Sequence, residues 1–426
     1  MVTSLRTTPA RARANRGAAA GTVAFVCLFA AQAGLLTLSP ILPSVAHDFG
    51  VSTAAAGQLR TLVGLTGGVT ALAVVLVGRR LGLRRLLLAG NGLLVLGSAA
   101  SALAPSLLAL TAAQVAVGAA TGLLVAGGLA AAAAWAAPER RTATLAWASL
   151  GQPASWVAGM PLIGLSAGLG WRYAWLGVPL AAGLAGLATV GARPRLEAAG
   201  TPAPRAHPLR WDVTLAGWAV GELLSYAAWA GTLVYAGALL IESYDADPGT
   251  VGLLLGAAAI AAFPGNFLAR RWLSGSSREL LVVLGLGAAA ITAVFGTVRP
   301  GLAASTATFT LLVLVACTRT VAGSTFALYV TPERRLAAMG VRASTGQLGY
   351  LVGAGLGGAA LAAGGYPLLC LTLAGLFASG AAPHFAALVA ERATLGTSAA
   401  RPETGRREVA ATAAPNRHAS PASTRP

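Results

Sequence analysis

The hexapeptides APERRT (Ala137 to Thr142) and TPERRL (Thr331 to Leu336) carry the same Pro-Glu-Arg-Arg, 194 positions apart. Each is a charged island between long apolar stretches. The fold turns on whether they are two copies of one element.

The 426 residues are 56% hydrophobic and 10% charged, with mean hydropathy +0.71, whereas a soluble protein devotes about a quarter of its residues to charge. Such a chain belongs in a lipid bilayer. A net charge of +17 would suit nucleic acid if the arginines shared one surface. Here they come in clusters separated by apolar runs of about 20 residues, the length of a membrane helix, so no nucleic-acid partner is expected. All 30 basic residues are Arg. Without Lys there is no Walker Gly-Lys-Ser/Thr and no Schiff-base lysine. Cys27, Cys317 and Cys370 lie in apolar runs, and the four His form no zinc spacing. No metal, no cofactor and no enzymatic activity are expected.

Twelve apolar segments are long enough to cross a bilayer. They run over residues 20 to 44, 54 to 78, 85 to 104, 107 to 136, 143 to 169 and 173 to 192, then 213 to 241, 249 to 269, 279 to 297, 302 to 327, 337 to 362 and 366 to 390. With the N-terminus inside, the cytoplasmic segments hold 26 of the 30 Arg, in keeping with the positive-inside rule. Arg342 is counted with them. Arg172 and Arg299, and the acidic Glu242, Asp245 and Asp247, fall outside. The first apolar run is too long for a signal peptide, although Ser44-Val45-Ala46 resembles a cleavage site. The expected organisation is a disordered cytoplasmic tail (1–19), a six-helix bundle (20–192), a cytoplasmic linker (193–211), a second six-helix bundle (212–391) and a disordered cytoplasmic tail (392–426). A multi-pass monomer in the plasma membrane with both termini cytoplasmic follows.

The two PERR loops follow spans four and ten. Arg79-Arg80 after span two and Arg270-Arg271 after span eight lie 191 apart, nearly the same offset. Two landmarks in register make the chain a duplication of a six-span unit, and because six is even both halves enter the membrane in the same direction. Several stretches then resemble the major facilitator superfamily, in its twelve-span drug-efflux, drug:proton antiporter form. LSPILPSVAHDFGVS (38–52) resembles the end of that family's first helix. VGRRLGLRR (77–85), with Arg79, Arg80, Gly82, Arg84 and Arg85, occupies the loop between helices two and three. GMPLIGLSAGLGWRYAW (159–175) resembles the fifth helix and its turn, and TPERRLAAMG with GYLVGAGLGG (331–340 and 349–358) resembles the region after helix ten. Glu139, Arg140, Glu333 and Arg334 are matching loop positions. The sequence departs from the pattern where Arg79 replaces an Asp, where Gln114 precedes Gly118 in place of an Arg, and where the Gly-Pro signature of helix five is reduced to Gly151-Gln152-Pro153 and Gly159-Met160-Pro161. The resemblance implies an all-helical protein of two pseudo-symmetric six-helix bundles that moves a small organic molecule by alternating access, with proton-coupled efflux of a drug-like or natural-product compound. Uptake of a sugar or metabolite is the alternative, and an integral membrane transferase the rival class.

A charge within hydrocarbon costs about 2.5 to 3.5 kcal/mol on insertion scales and marks a functional candidate. Arg60 in span two, Glu222 in span seven and Arg319 in span ten qualify. Glu222 and Arg319 fall at similar depths, and the resemblance puts their spans around the central cavity, so they are a candidate ion pair for proton coupling or gating. Trp218, Glu222, Tyr226 and Trp229 share one helix face, which would draw an organic cation to an aromatic-lined acid. Arg60 lies near the outer end of its span, where snorkelling to the headgroups competes with any role. Gln32, Gln114, Gln152 and Trp156 complete the cavity candidates; Gln32 is offset by the repeat length to the neighbourhood of Glu222.

The topology is testable by cysteine labelling. An Ala246→Cys variant should react with a membrane-impermeant maleimide added to intact cells and a Glu139→Cys variant only after permeabilisation. The opposite pattern would invert the orientation.

Overall fold

The computed structural model describes residues 9–193, 212–265, 278–330 and 335–399. Among these the chain is helical apart from short turns, and nine helices are long and apolar enough to cross a membrane, the last of them folding back on itself; the spans keep the numbers of the twelve apolar segments. The tails (1–8 and 400–426), most of the linker, Arg270-Arg271 and Glu333-Arg334 lie outside the described residues.

Span one is two helices, Pro9–Leu36 and Leu38–Asp48, meeting at Thr37, just before Pro40, whose missing N–H and ring interrupt the ladder. Span two is Thr53–Leu81, span three Leu83–Ala102 and span four Leu107–Trp135. Span five is broken into Arg141–Ser149, Gly151–Ala154, a π-helical turn over Ser155–Gly159, and Met160–Gly168. Pro153 and Pro161 bracket that turn, and π-turns of this kind gather at functional sites. Span six is Trp171–Leu176 with Val178–Gly191, and span seven is Val213–Tyr244. Span eight runs over Pro248–Gly265, span nine is Arg278–Thr297 and span ten Leu302–Val330. Spans eleven and twelve share Arg335–Ala399 and fold back at Gly364 and Gly365, the latter at φ 64°, a left-handed conformation that glycine adopts without a side-chain clash. The Asp247 carboxylate accepts from the Thr250 N–H to start span eight, and bonding to Thr250 holds this carboxyl below its usual range.

The turns at Gly50, Gly170, Asp245 and Gly365 mark the face of the bundle away from the PERR turn, here termed the far face. On this face the internal repeat becomes a physical symmetry. A side chain on Gly164 of span five would meet Pro248 O at 2.6 Å and Gly252 Cα at 2.7 Å on span eight. A side chain on Gly358 of span eleven would meet Ala54 O at 3.2 Å and would overlap Gln58 on span two. Positions 164 and 358, 252 and 58, and 248 and 54 each differ by 194, so these are one contact made twice. The axis between the copies passes near span one and span seven, where the Ser39 hydroxyl donates to Leu233 O at 2.7 Å across the same interval of 194 residues. In hydrocarbon no hydrophobic force pulls helices together, so small residues that admit close backbone approach carry the association.

Glu242 adds a polar tie on this face. Its carboxylate accepts from the Thr53 hydroxyl in the first half and, at 2.9 Å, from the Tyr366 hydroxyl in the second. Among the described residues the contacts between halves lie mainly toward the far face, through spans two and eleven, five and eight, and the outer part of spans one and seven.

Overpacking such a contact costs typically about 1 to 3 kcal/mol. Gly164→Leu, and equally Gly358→Leu, should hold the far face apart. A cysteine at position 36 in the cleft between the halves should then react with an impermeant thiol reagent from that side several-fold faster than in the parent. Unchanged rates would show that these glycines do not hold the closure.

Candidate functional site

Span seven begins where the Asp212 carboxylate accepts from Leu215 N at 2.7 Å, a side-chain cap. One turn on, the Trp218 indole donates to Gly323 O of span ten at 2.9 Å and fixes the rotation of the helix. That rotation sends Glu222 against span ten, where a side chain on Gly323 would overlap its carboxylate. Glu222 is 1% exposed and Arg319 is 3% exposed.

Glu222 and Arg319 are in contact: Arg319 Nη1 donates to Glu222 Oε1 at 2.9 Å and Nη2 to Gly221 O at 3.2 Å. A second guanidinium completes the group. Arg342 Nε lies 3.3 Å from Glu222 Oε2 and 3.3 Å from Ser324 Oγ, and its guanidinium sits 5.1 Å from the centre of the Tyr226 ring. His384 of span twelve borders the cluster, with Nε2 3.2 Å from where a side chain on Gly221 would begin.

Arg342 is therefore corrected from a cytoplasmic-loop arginine to an intramembrane one. The signal was present: Arg342, Gly346, Gly349 and Gly353 share a helix face, and a side chain on Gly349 would meet Tyr226 at 2.7 Å. The glycine ladder that closes span eleven onto span seven carries Arg342 to the carboxylate.

The aromatic face expected on span seven is divided. Trp229 turns toward the interface of the halves and Tyr226 packs on span eleven against Gly349 and Tyr350, but Trp218 packs with Leu215, Leu281, Ala322 and Phe326 inside the second half. The Glu222 carboxylate, with a guanidinium on each oxygen, is not the bare acid that would draw a cation. Trp156, in the π-turn, lies 5.4 Å from Trp229. Trp229 stacks on Phe309 at 6.4 Å. Leu36, Trp156, Met160, Leu233, Leu255 and Phe309 line an apolar cleft between the halves.

Arg60 is 1% exposed, and its Nη1 donates to Gly34 O of span one at 3.4 Å. Gly34 and Gly67 both abut Thr121, and Gly67 is two turns deeper in span two than Arg60. The side chain thus runs toward the middle of the membrane, and snorkelling to the far-face headgroups is excluded by geometry. Arg60 lies within electrostatic reach of the Tyr350 hydroxyl, and the Gln32 side chain approaches the same hydroxyl at hydrogen-bonding range. Tyr350 stands edge-on to Tyr226 at 6.1 Å.

The remaining candidates lie elsewhere. Gln114 is buried in the first half and donates to Ser101 Oγ at 2.9 Å, a tie between spans four and three. Gln152 is half-buried at the start of the broken stretch of span five. Arg84 donates to Gly191 O at 3.3 Å, Gly82 starts span three at φ 79°, and Arg85, Glu139 and Arg140 are exposed. Arg79 and Arg80 lie in the last turns of span two.

The sequence model of the Major Facilitator Superfamily matches residues 24–218 and again 218–422. No curated protein matches the chain. Among solved structures the chain is similar to a bacterial homologue of the human lysosomal transporter Spinster in an inward-facing, unoccupied conformation. That match has a TM-score of 0.66 and 14% identity, and covers 90% of this chain and 95% of the other. It is also similar to a D-xylose–proton symporter, with a TM-score of 0.64 and 16% identity over 84% of this chain and 96% of that one. At these identities the likeness concerns the fold, whereas the family model matches both halves in turn; this multi-pass membrane protein belongs to the Major Facilitator Superfamily.

Proposed function

We propose that the chain is a proton-coupled secondary transporter that expels a drug-like or natural-product compound from the cytoplasm across the plasma membrane, with both termini inside. The observation that carries this reading is the buried Glu222 carboxylate shared by Arg319 and Arg342 from two other spans. A proton on Glu222 removes the charge that satisfies both guanidiniums, and breaking a buried pair costs about 3 to 5 kcal/mol. Spans ten and eleven are then free to shift against span seven. A change of that size suffices to move a two-state equilibrium from one side to the other. Occupation of Glu222 by a proton thereby biases the exchange between inward-open and outward-open arrangements.

The apolar, aromatic lining of the cleft between the halves favours an apolar compound over a sugar, whose hydroxyls need many polar partners. The +17 charge, gathered at the turns expected to face the cytoplasm, supports the orientation.

The test uses purified protein in vesicles, with a panel of apolar drug-like compounds and a set of sugars as competitors. In the parent protein an imposed pH gradient should drive accumulation of a compound from the panel. In Glu222→Gln, which keeps the shape but cannot exchange a proton, that accumulation should fall by at least about tenfold while exchange without a gradient persists, a loss of more than about 1.4 kcal/mol of coupling. Undiminished gradient-driven transport in the variant would remove Glu222 from the coupling mechanism. Transport of a sugar alone would return the function to uptake.

A further inference from the structure

Among the described residues, Arg60, Arg319 and Glu222 are buried within the membrane passages, and Arg342 is half-buried beside them. Arg319 and Arg342 share Glu222. Arg60, on the other side of the Tyr226–Tyr350 pair, forms no salt bridge with any described carboxylate. Its one hydrogen bond is the 3.4 Å contact to Gly34 O, and its Nε is buried without a partner. Buried charges are normally paired, because desolvation is otherwise uncompensated.

Two further polar groups lie along the interface of the halves. Gln32 on span one approaches the Tyr350 hydroxyl with its Nε2 buried, and Gln347 Oε1 on span eleven is a buried acceptor without a hydrogen-bond partner. Gln347 lies against Gly67, on the same face of span two as Arg60. The donors here are the Arg60 guanidinium on span two and Gln32 Nε2 on span one, with the Tyr350 hydroxyl beside them; Gln347 Oε1 is an acceptor. The apolar cleft lies further along the same helices. Leu36, in its wall, is one helical turn from Gln32, and Leu233 shares its face of span seven with Trp229 and Tyr226.

We infer that Arg60 binds the acid group of the transported compound, so that the substrate is an organic anion whose carboxylate meets Arg60 and Gln32 and whose apolar body lies in the Trp156–Trp229–Phe309 cleft. The inference rests on the transport reading above and deepens it. A planar guanidinium in a low-dielectric site holds a carboxylate by charge-assisted hydrogen bonds. An ammonium group is repelled by the same charge, and a neutral amide leaves it uncompensated. Glu222, closed by its own two guanidiniums, is left to the proton, so binding and coupling use different charges on either side of the tyrosine pair.

The test is isothermal titration of the full chain in lipid nanodiscs with three probes of one shape: 1-naphthoate, 1-naphthamide and 1-naphthylmethylammonium. Empty nanodiscs correct for partition into lipid. The parent protein is expected to bind the carboxylate at least about tenfold more tightly than the amide and the ammonium least, the size of one hydrogen bond to a charged group. In Arg60→Gln, or in Arg60→Met if the first does not fold, the preference for carboxylate over amide should fall to about one, whereas in Glu222→Gln it should persist. Equal binding of amide and carboxylate, tighter binding of the ammonium, or a preference that survives loss of Arg60 would each overturn the inference. So would failure of all three probes to bind a protein that still shows gradient-driven flux, an outcome that leaves the transport reading standing. Loss of that flux with carboxylate preference intact would strike the transport reading alone.

Discussion

Where a helix backbone passes another at the distance of a missing side chain, its position is set to within a few tenths of an ångström, and two such passages set the relation of two rigid bodies. Gly164 against Pro248 and Gly252, and Gly358 against Ala54 and Gln58, are those passages. They are copies of one contact, so the halves meet symmetrically about an axis between span one and span seven. Everything near the axis inherits its position from them. The Ser39–Leu233 bond, the Glu242 tie, the tyrosine pair and the aromatic cleft all lie along the seam. Dispersion is the main attraction available between helices in lipid, which is why the seam is built from glycine rather than from large apolar residues.

On this symmetric scaffold the charges are asymmetric. One repeat length before Glu222, Arg319 and Arg342 stand Leu28, Val125 and Ala148, and one repeat length after Arg60 stands Leu254. The second half therefore carries the ionic network and the first half carries the isolated cation. Neutral pairs keep the correspondence better: Gln32 matches Tyr226, and Trp156 matches Tyr350. Duplication supplies a hinge with two equivalent sides, and function requires the sides to differ.

Much of this was legible in one dimension. The succession of apolar membrane helices, the repeat and the common depth of Glu222 and Arg319 follow from hydropathy, from charge punctuation and from a count of residues along a helix. These properties survive unrolling the chain, since a bilayer sorts residues by depth and depth is proportional to position. Gln114 was legible as a buried polar residue but not as a tie to Ser101, because its partner lies on another helix.

Rotation is what the sequence by itself left undetermined. A helix in a protein interior is apolar on most of its circumference, so nothing in its own pattern says which side faces a neighbour. Only packing decided that Trp218 turns into the second half while Trp229 faces the seam, that the glycine ladder of span eleven swings Arg342 onto Glu222, and that Arg60 points inward to Gly34 instead of out to the headgroups. Sequence placed the charges at their depths in the membrane. Tertiary structure decided which of them are paired, because pairing depends on the direction a side chain leaves its helix, and that direction is set by the neighbours against which the helix can close.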